Sequence, residues 1–245
     1  DKNASAVFVR GYYTYAYLWA VTFDGKQITD KWYHSSHSKT QYKVTDADGN
    51  TQTYTPPAAT SGSGSRTMYG NGNHNLSVAD VDGDGADEIV WGSATLDHDG
   101  TLLYATGYGH GDAIHLADHN PDRPGLEVFE IHEGSPYGWD LHDAATGKIL
   151  FKATGSSDNG RGMAAQLSAT DRGSYFSSSN DRSQRSAITG NVASSGNTSM
   201  NFRIYWDGDL QEELFDGGKI DNWNGNGTSR LYINGKNPYD YNASS

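Results

Sequence analysis

Asp80-Val81-Asp82-Gly83-Asp84-Gly85-Ala86-Asp87-Glu88 runs directly into Ile89-Val90-Trp91-Gly92. Three carboxylates stand at alternate positions with glycines between them, and a further carboxylate follows Asp84 by four residues. Hard oxygen ligands spaced around a tight glycine turn are what Ca²⁺ requires. Without a cation the same charges would repel one another. The loop matches an EF-hand only at its start, because its twelfth position is Trp91 rather than a bidentate glutamate. The residues after Glu88 are β-branched and aromatic, which predicts a strand rather than a helix leaving the loop. A Ca²⁺ loop that opens a strand points to an all-β protein built as β-propeller blades, four-stranded and antiparallel, with Asp80, Asp82, Asp84 and Glu88 as metal ligands.

Composition supports an all-β chain. Its 245 residues include 30 glycines, 16 tyrosines and 6 tryptophans, which favour short strands and many turns. No long 3.6-residue period competes, so helix should be scarce. The sequence predicts a single propeller domain over 1–245, or part of one. No apolar run reaches 18 residues, so no membrane span is predicted. Asp1 suggests a processed or trimmed N-terminus. The absence of cysteine excludes disulfides, thiol catalysis and zinc–thiolate sites. The formal net charge of −12 argues against a nucleic-acid partner, since phosphate contacts need clustered Lys and Arg. Because Ca²⁺ loops fill where the ion is abundant, a secreted or extracellular setting is expected, with the bacterial periplasm or cell surface included. A monomer is expected.

The blade signal recurs along the chain. Val7–Tyr13 and Tyr17–Thr22 read as strands, with Asp24-Gly25 as a hairpin turn. Residues 35–73 are rich in Ser, Thr, Gly and Pro and read as a long surface loop. Val78-Ala79-Asp80 and Leu116-Ala117-Asp118 each introduce an acidic turn and then an apolar strand, Glu88–Trp91 and Glu127–Glu130. Gly-Lys or Gly-Asp turns return at 25–26, 147–148, 208–209 and 218–219. Repeats of roughly 40–60 residues fit four-stranded blades. In the second acidic turn Asp118, Asn120, Asp122 and Glu127 are candidate oxygen ligands. The third equivalent, Thr170–Ser174, lacks the carboxylates and is expected to hold no ion.

His74, His98, His110, His115 and His119 crowd into the same region, beside Asp97 and Asp112. The Gly109-His110-Gly111-Asp112 turn presents imidazole and carboxylate on an unhindered backbone. Such groups suit metal binding, a general base or a sugar contact. Asp97 and Asp112 therefore join the candidate metal ligands. There is no HExxH, no Gly-x-Ser-x-Gly elbow and no P-loop.

Several blocks together carry a resemblance. Asn73–Gly85, Gly107–Asp112, Arg123–Phe129, Asp158–Ala164, Trp206–Leu210 and Lys219–Asp221 resemble, in order, the rhamnogalacturonan lyases of polysaccharide lyase family 11. The resemblance implies an eight-bladed β-propeller with several Ca²⁺ ions, of which this chain covers a central portion together with the remaining blades of the same enzyme. It implies cleavage of the rhamnose–galacturonate backbone of rhamnogalacturonan I, a pectin polysaccharide, by Ca²⁺-assisted β-elimination that leaves unsaturated galacturonyl ends. Residues 170–180 depart from the family by replacing an acidic turn with a Ser-rich stretch.

On that reading, removing the proton at C5 of galacturonate needs positive charge at the sugar carboxylate, from Ca²⁺ and a bidentate Arg. His74 and His110 are the candidates for base, or for direct Ca²⁺ and substrate ligands. Arg161, in its Gly-rich turn, is the candidate carboxylate clamp, and Asn73, Tyr108 and Tyr137 are candidate substrate contacts. Two other classes compete. A non-catalytic Ca²⁺-bearing propeller for adhesion or carbohydrate binding fits the Asp80 loop equally well. A glycoside hydrolase would use a carboxylate pair, for which Glu130, Glu133 and Asp140 are available.

Overall fold

Short β-branched and aromatic segments punctuated by Gly and Asp turns leave the backbone only antiparallel pairing with neighbours in sequence. The computed structural model describes residues 4–36, 42–45, 51–54, 67–196, 202–216, 219–225 and 227–231, and among these there is no helix. The first sheet has three strands, β1 (Ala4–Arg10), β2 (Tyr17–Phe23) and β3 (Ile28–Ser35). A two-stranded hairpin follows, β4 (Tyr42–Thr45) with β5 (Thr51–Tyr54). Four four-stranded antiparallel meanders complete the described chain. They are β6 (Ser77–Ala79), β7 (Glu88–Val90), β8 (Ala94–Leu96) and β9 (Leu102–Ala105); then β10 (Ile114–Ala117), β11 (Glu127–His132), β12 (Gly138–Asp143) and β13 (Ile149–Ala153). Next come β14 (Gly162–Ala165), β15 (Tyr175–Ser178), β16 (Ser183–Ser186) and β17 (Val192–Ser195). Last are β18 (Phe202–Ile204), β19 (Glu213–Asp216), β20 (Lys219–Trp223) and β21 (Thr228–Arg230).

The expected all-β, four-stranded pattern therefore holds, and the Asp24-Gly25 turn joins β2 to β3 as read, with Asp24 Oδ1 accepting from the amides of Lys26 and Gln27. Two expectations change. The segment read as a loop over 35–73 contains the β4–β5 hairpin, and its far end is buried: Met68 enters the core at 1% exposure. The first predicted strand stops at Arg10, because Gly11 adopts φ +85° and turns the chain. A Cβ there would lie 1.8 Å from the Tyr15 carbonyl oxygen, so only glycine fits.

Successive sheets face one another, with a separate apolar layer between each pair. Leu18, Met68, Trp91 and Leu102 fill the first gap, Val90, Ile114 and Val128 the second, Phe129, Leu141 and Phe176 the third, and Met163, Leu214 and Trp223 the fourth. The leading strands lie together: β10 touches both β6 and β14, and β14 touches β18. Strand β11 is buried along its whole length, and its two faces serve different gaps. Phe129→Ala should thus cost about 3–5 kcal/mol, read by urea unfolding, while Val192→Ala, at a half-exposed position, should stay within about 0.5 kcal/mol.

Candidate active site and metal centres

Two backbone arms meet beside β11. One passes through Gly72-Asn73-His74 and the other through His110-Gly111-Asp112, and they join by a parallel bridge between Asn73 and Gly111. The amide of His74 donates to the Gly111 carbonyl at 3.3 Å. Glu133, just past the end of β11, closes the third side, its amide donating to the His110 carbonyl at 3.1 Å. His74, His110, Asp112 and Glu133 thereby offer ligand atoms all within 4.8 Å of one another.

The contacts are specific. His74 Nε2 lies 3.1 Å from Asp112 Oδ1, and His110 Nε2 lies 2.9 Å from Glu133 Oε2 and 3.6 Å from Asp112 Oδ1. His110 Nδ1 is 2.7 Å from the Gly72 carbonyl, which can only accept, so this nitrogen carries the proton. Burial holds His110 below the ordinary imidazole pKa, and its side chain is only 6% exposed. A neutral His110 then turns its Nε2 lone pair towards two carboxylates, an arrangement that a cation between them would reconcile. Burial and Glu133 push Asp112 upward. Tyr13, delivered by the turn at Gly11, donates to Glu133 Oε2 at 3.0 Å, and its phenol is pushed up to about 12, first by burial and then by that bond. The Tyr12 ring stacks on His110 at 5.1 Å.

The sequence candidates divide around this centre. His74, His110 and Asp112 come together as expected. Gly160 packs beside Asp112, so a Cβ on it would sit 3.4 Å from Asp112 Oδ2, and this brings the turn holding Arg161 to the rim. Arg161 itself donates to Asp216 Oδ2 at 2.9 Å, tying β14 to the end of β19. Asn73, at 1% exposure, faces inward and donates to Glu130, so it shapes the site rather than meeting a substrate. The Tyr108 hydroxyl accepts from Lys152 Nζ at 2.7 Å, and Tyr137 lies in the turn after Glu133 at φ 55°. Glu130 and Asp140 are buried at 0% and 1% exposure, which removes them as a hydrolase pair. Burial pushes Glu130 up to about 7; Asp140 resists the same burial, held at about 2 by His142 and His132 on its two oxygens. Tyr13 and Glu133 were the members that sequence reading missed: one was hidden in a predicted strand, the other among the hydrolase carboxylates.

A second pattern repeats at the loop between the first and second strands of the meanders. Glu88, Glu127 and Glu213 each open the second strand, fully buried. Each takes the amide of the residue seven positions earlier on Oε2: Val81 at 2.8 Å, Asn120 at 2.9 Å and Trp206 at 2.5 Å. Each Oε1 receives no hydrogen bond among the described residues. In the first loop Glu88 converges with Asp80 and Asp82, while Asp84 turns to Asp97 and His98. In the loop after β18, Glu213 converges with Asp207 and Asp209, a set the sequence showed only as a turn. The loop of Asp118 differs: Arg123 Nε stands 3.5 Å from Glu127 Oε1, and Arg172 pairs with Asp122 at 2.6 Å. The β14–β15 loop puts Tyr175 at the glutamate position, its hydroxyl donating to Asp171 at 2.7 Å.

With this geometry in hand, the known relatives can be placed. A family model described as "Rhamnogalacturonan lyase family 11, C-terminal domain" matches residues 1–244. The chain belongs to rhamnogalacturonan lyase family 11. The matching part is the one described as the C-terminal domain, where the sequence reading placed a central portion. The rhamnogalacturonan exolyase YesX of Bacillus subtilis is 40% identical over 224 residues, covering 88% of this chain and 33% of YesX. The endolyase YesW of the same organism is 47% identical over 151 residues, covering 60% of this chain and 24% of YesW. Among solved structures, the Bacillus licheniformis family 11 lyase superposes with a TM-score of 0.74 at 43% identity, over 93% of this chain and 35% of that one. The crystal structure of YesW gives 0.77 at 39% identity, over 94% and 36%. The chain thus spans about a third of these structural relatives.

The bridge geometry makes one position decisive. A Cβ on Gly111 would meet the Ile131 carbonyl oxygen at 2.0 Å and Glu130 Oε1 at 2.9 Å, whereas one on Gly134 meets nothing within 4 Å. Gly111→Ala should cost about 1–3 kcal/mol and shift the His74 and His110 ring resonances; Gly134→Ala should leave both unfolding and those resonances unchanged.

Proposed function

We propose that the protein carrying this chain cleaves the rhamnose–galacturonate backbone of rhamnogalacturonan I by β-elimination, and that the His74–His110–Asp112–Glu133 cluster is part of its active site. The observation that carries this reading is the juxtaposition of an exposed imidazole with a buried, neutral one facing two carboxylates, in a chain of the rhamnogalacturonan lyase family. The serial sheets with adjacent leading strands are read as propeller blades, set in a secreted or extracellular enzyme.

β-Elimination removes the proton at C5 of galacturonate, forms the C4–C5 double bond and breaks the C4–O bond, the departing oxygen taking up a proton. The C5 proton is weakly acidic beside an ionised carboxylate, so the charge that builds up must be stabilised. His110 Nε2, Asp112 and Glu133 would hold a divalent cation, Ca²⁺ in our reading, whose positive charge would neutralise the sugar carboxylate. Two carboxylates suit Ca²⁺, and the lone pair on His110 is the one soft element of the set. His74, with its side chain 40% exposed, is the imidazole open to substrate and the proposed base. Tyr13 restrains Glu133 and closes one wall. Arg161 reaches a bound uronate by exchanging Asp216 for it, and Tyr108 and Tyr137 offer rings near the rim.

Ca²⁺ also suits the two loops in which a buried glutamate oxygen lies unbonded beside two aspartates, those of Glu88 and Glu213. There the ion would act as a staple, as a ligand that binds only the folded state. It would also offset the net charge of −12 that otherwise repels an anionic polymer.

The roles separate in one experiment on rhamnogalacturonan I, following absorbance of the unsaturated product. His74→Ala should lower the rate at least 100-fold with the cation requirement retained, and His110→Ala should lower it similarly while weakening cation binding. EDTA should reduce both the rate and the thermal midpoint, and excess Ca²⁺ should restore both. Product formation at the normal rate in either variant would remove that histidine from its role.

A further inference from the structure

Glu130 has no place in the chemistry just described, yet it is a buried ionisable side chain on a strand whose neighbours Val128, Phe129 and Ile131 are apolar. It also sits directly opposite Asp140 in the β11–β12 register. Like charges across a strand pair are unfavourable, and a buried carboxylate is a poor means of gaining stability. Asp140 takes both nearby imidazoles for itself, His132 Nε2 at 2.7 Å and His142 Nδ1 at 2.6 Å. The hydrogen bonds to Glu130 come from elsewhere. Its Oε1 accepts from Asn73 Nδ2 at 3.3 Å, and its Oε2 accepts from Ser93 Oγ at 2.9 Å.

The backbone has been shaped around that Oε1. A Cβ on Gly92 would come within 2.6 Å of it, and one on Gly111 within 2.9 Å. Gly111 stands between His110 and Asp112, and Asn73 immediately precedes His74. One oxygen atom thus touches both arms of the cluster, in each case at the residue adjoining a functional side chain. Asn73 carries the contact onward: its Oδ1 accepts from the Asn75 amide, and its carbonyl accepts from Trp91 Nε1 at 2.7 Å. Glu133 leaves the same strand three residues later, so β11 sets both the floor and one wall of the site.

We propose that Glu130 is a positioning residue that fixes the separation of the His74 arm from the His110–Asp112 arm, and so sets the affinity of that cluster for a divalent cation. The proposal rests on the reading of the cluster as a cation site. Its structural core is independent of which polymer is cleaved.

The test is a Ca²⁺ titration of the protein followed by the ring resonances of His74 and His110. Glu130→Gln keeps the size of the side chain but places an amide donor against Asn73 or Ser93. It should raise the Ca²⁺ concentration at the midpoint for both rings at least tenfold, with a thermal midpoint no lower than that of the parent. Asn73→Ala should do the same, and the double variant should go no further than either alone, because both changes break one linkage. His98, beside the Asp84 loop, is the internal control and should keep its midpoint. A change of less than twofold at His74 and His110, or an equal change at His98, would overturn the proposal. If Glu130→Gln does not fold, Ser93→Ala, which removes a single donor, takes its place with the same criteria. Lyase assays and the same titration on the whole protein that carries this chain keep the two claims apart. An inactive parent whose midpoint still shifts contradicts the lyase reading and supports Glu130; an active parent with no shift does the reverse.

Discussion

A carboxylate that leaves water must find positive charge or lose its own. This molecule buries glutamates at the head of strand after strand, and its acidic loops and histidine cluster are arranged around that constraint. The amide seven residues earlier satisfies one oxygen of Glu88, Glu127 and Glu213 and leaves the other bare. What faces the bare oxygen then distinguishes the loops. Arg123 supplies a guanidinium at Glu127, whereas Glu88 gathers two aspartates with the His98 ring 4.0 Å from its bare oxygen, and Glu213 gathers two aspartates. In the meander that begins with β14, tyrosine replaces the glutamate and the problem does not arise. One backbone device thus meets a guanidinium in one loop and further carboxylates in two, and gives way to tyrosine in the fourth.

The histidine cluster is the same constraint in a more exposed setting. Asp112 and Glu133 approach His110 from two sides while the Gly72 carbonyl fixes which nitrogen is bare. Burial favours the neutral ring, so His110 itself brings no positive charge to the two carboxylates. On the proposed reading, a cation held there would also receive an anionic sugar. It would turn an acidic scaffold from a barrier into a partner for a uronate polymer.

Much of this could be read from residues alone. The Asp80 loop and the strand after it were legible because carboxylate spacing and β-branched runs are local signals. His74, His110 and Asp112 could be grouped from their glycine-rich context. What stayed hidden depended on distant geometry. Tyr13 looked like a strand residue until the positive φ of Gly11 turned it into the site. Asn73 looked like a substrate contact because an exposed-seeming Gly-Asn-His turn gives no hint that Glu130, 57 residues away, draws it inward. The Asp207 loop escaped because Asp207-Gly208-Asp209 resembles a hairpin turn, and only the buried Glu213 shows its likeness to the Asp80 loop. Arg172 could not be assigned to the Asp118 loop from spacing, nor could the pairing of Arg123 with Asp143, since sheet packing sets both.

Anomalous diffraction from crystals grown in millimolar Ca²⁺ bears on the central claim most directly. Ion density is expected at Asp80–Asp82–Glu88, at Asp207–Asp209–Glu213 and at His110–Asp112–Glu133, with none beside Tyr175. Featureless density at all three carboxylate sets, with the fold unchanged, would contradict it.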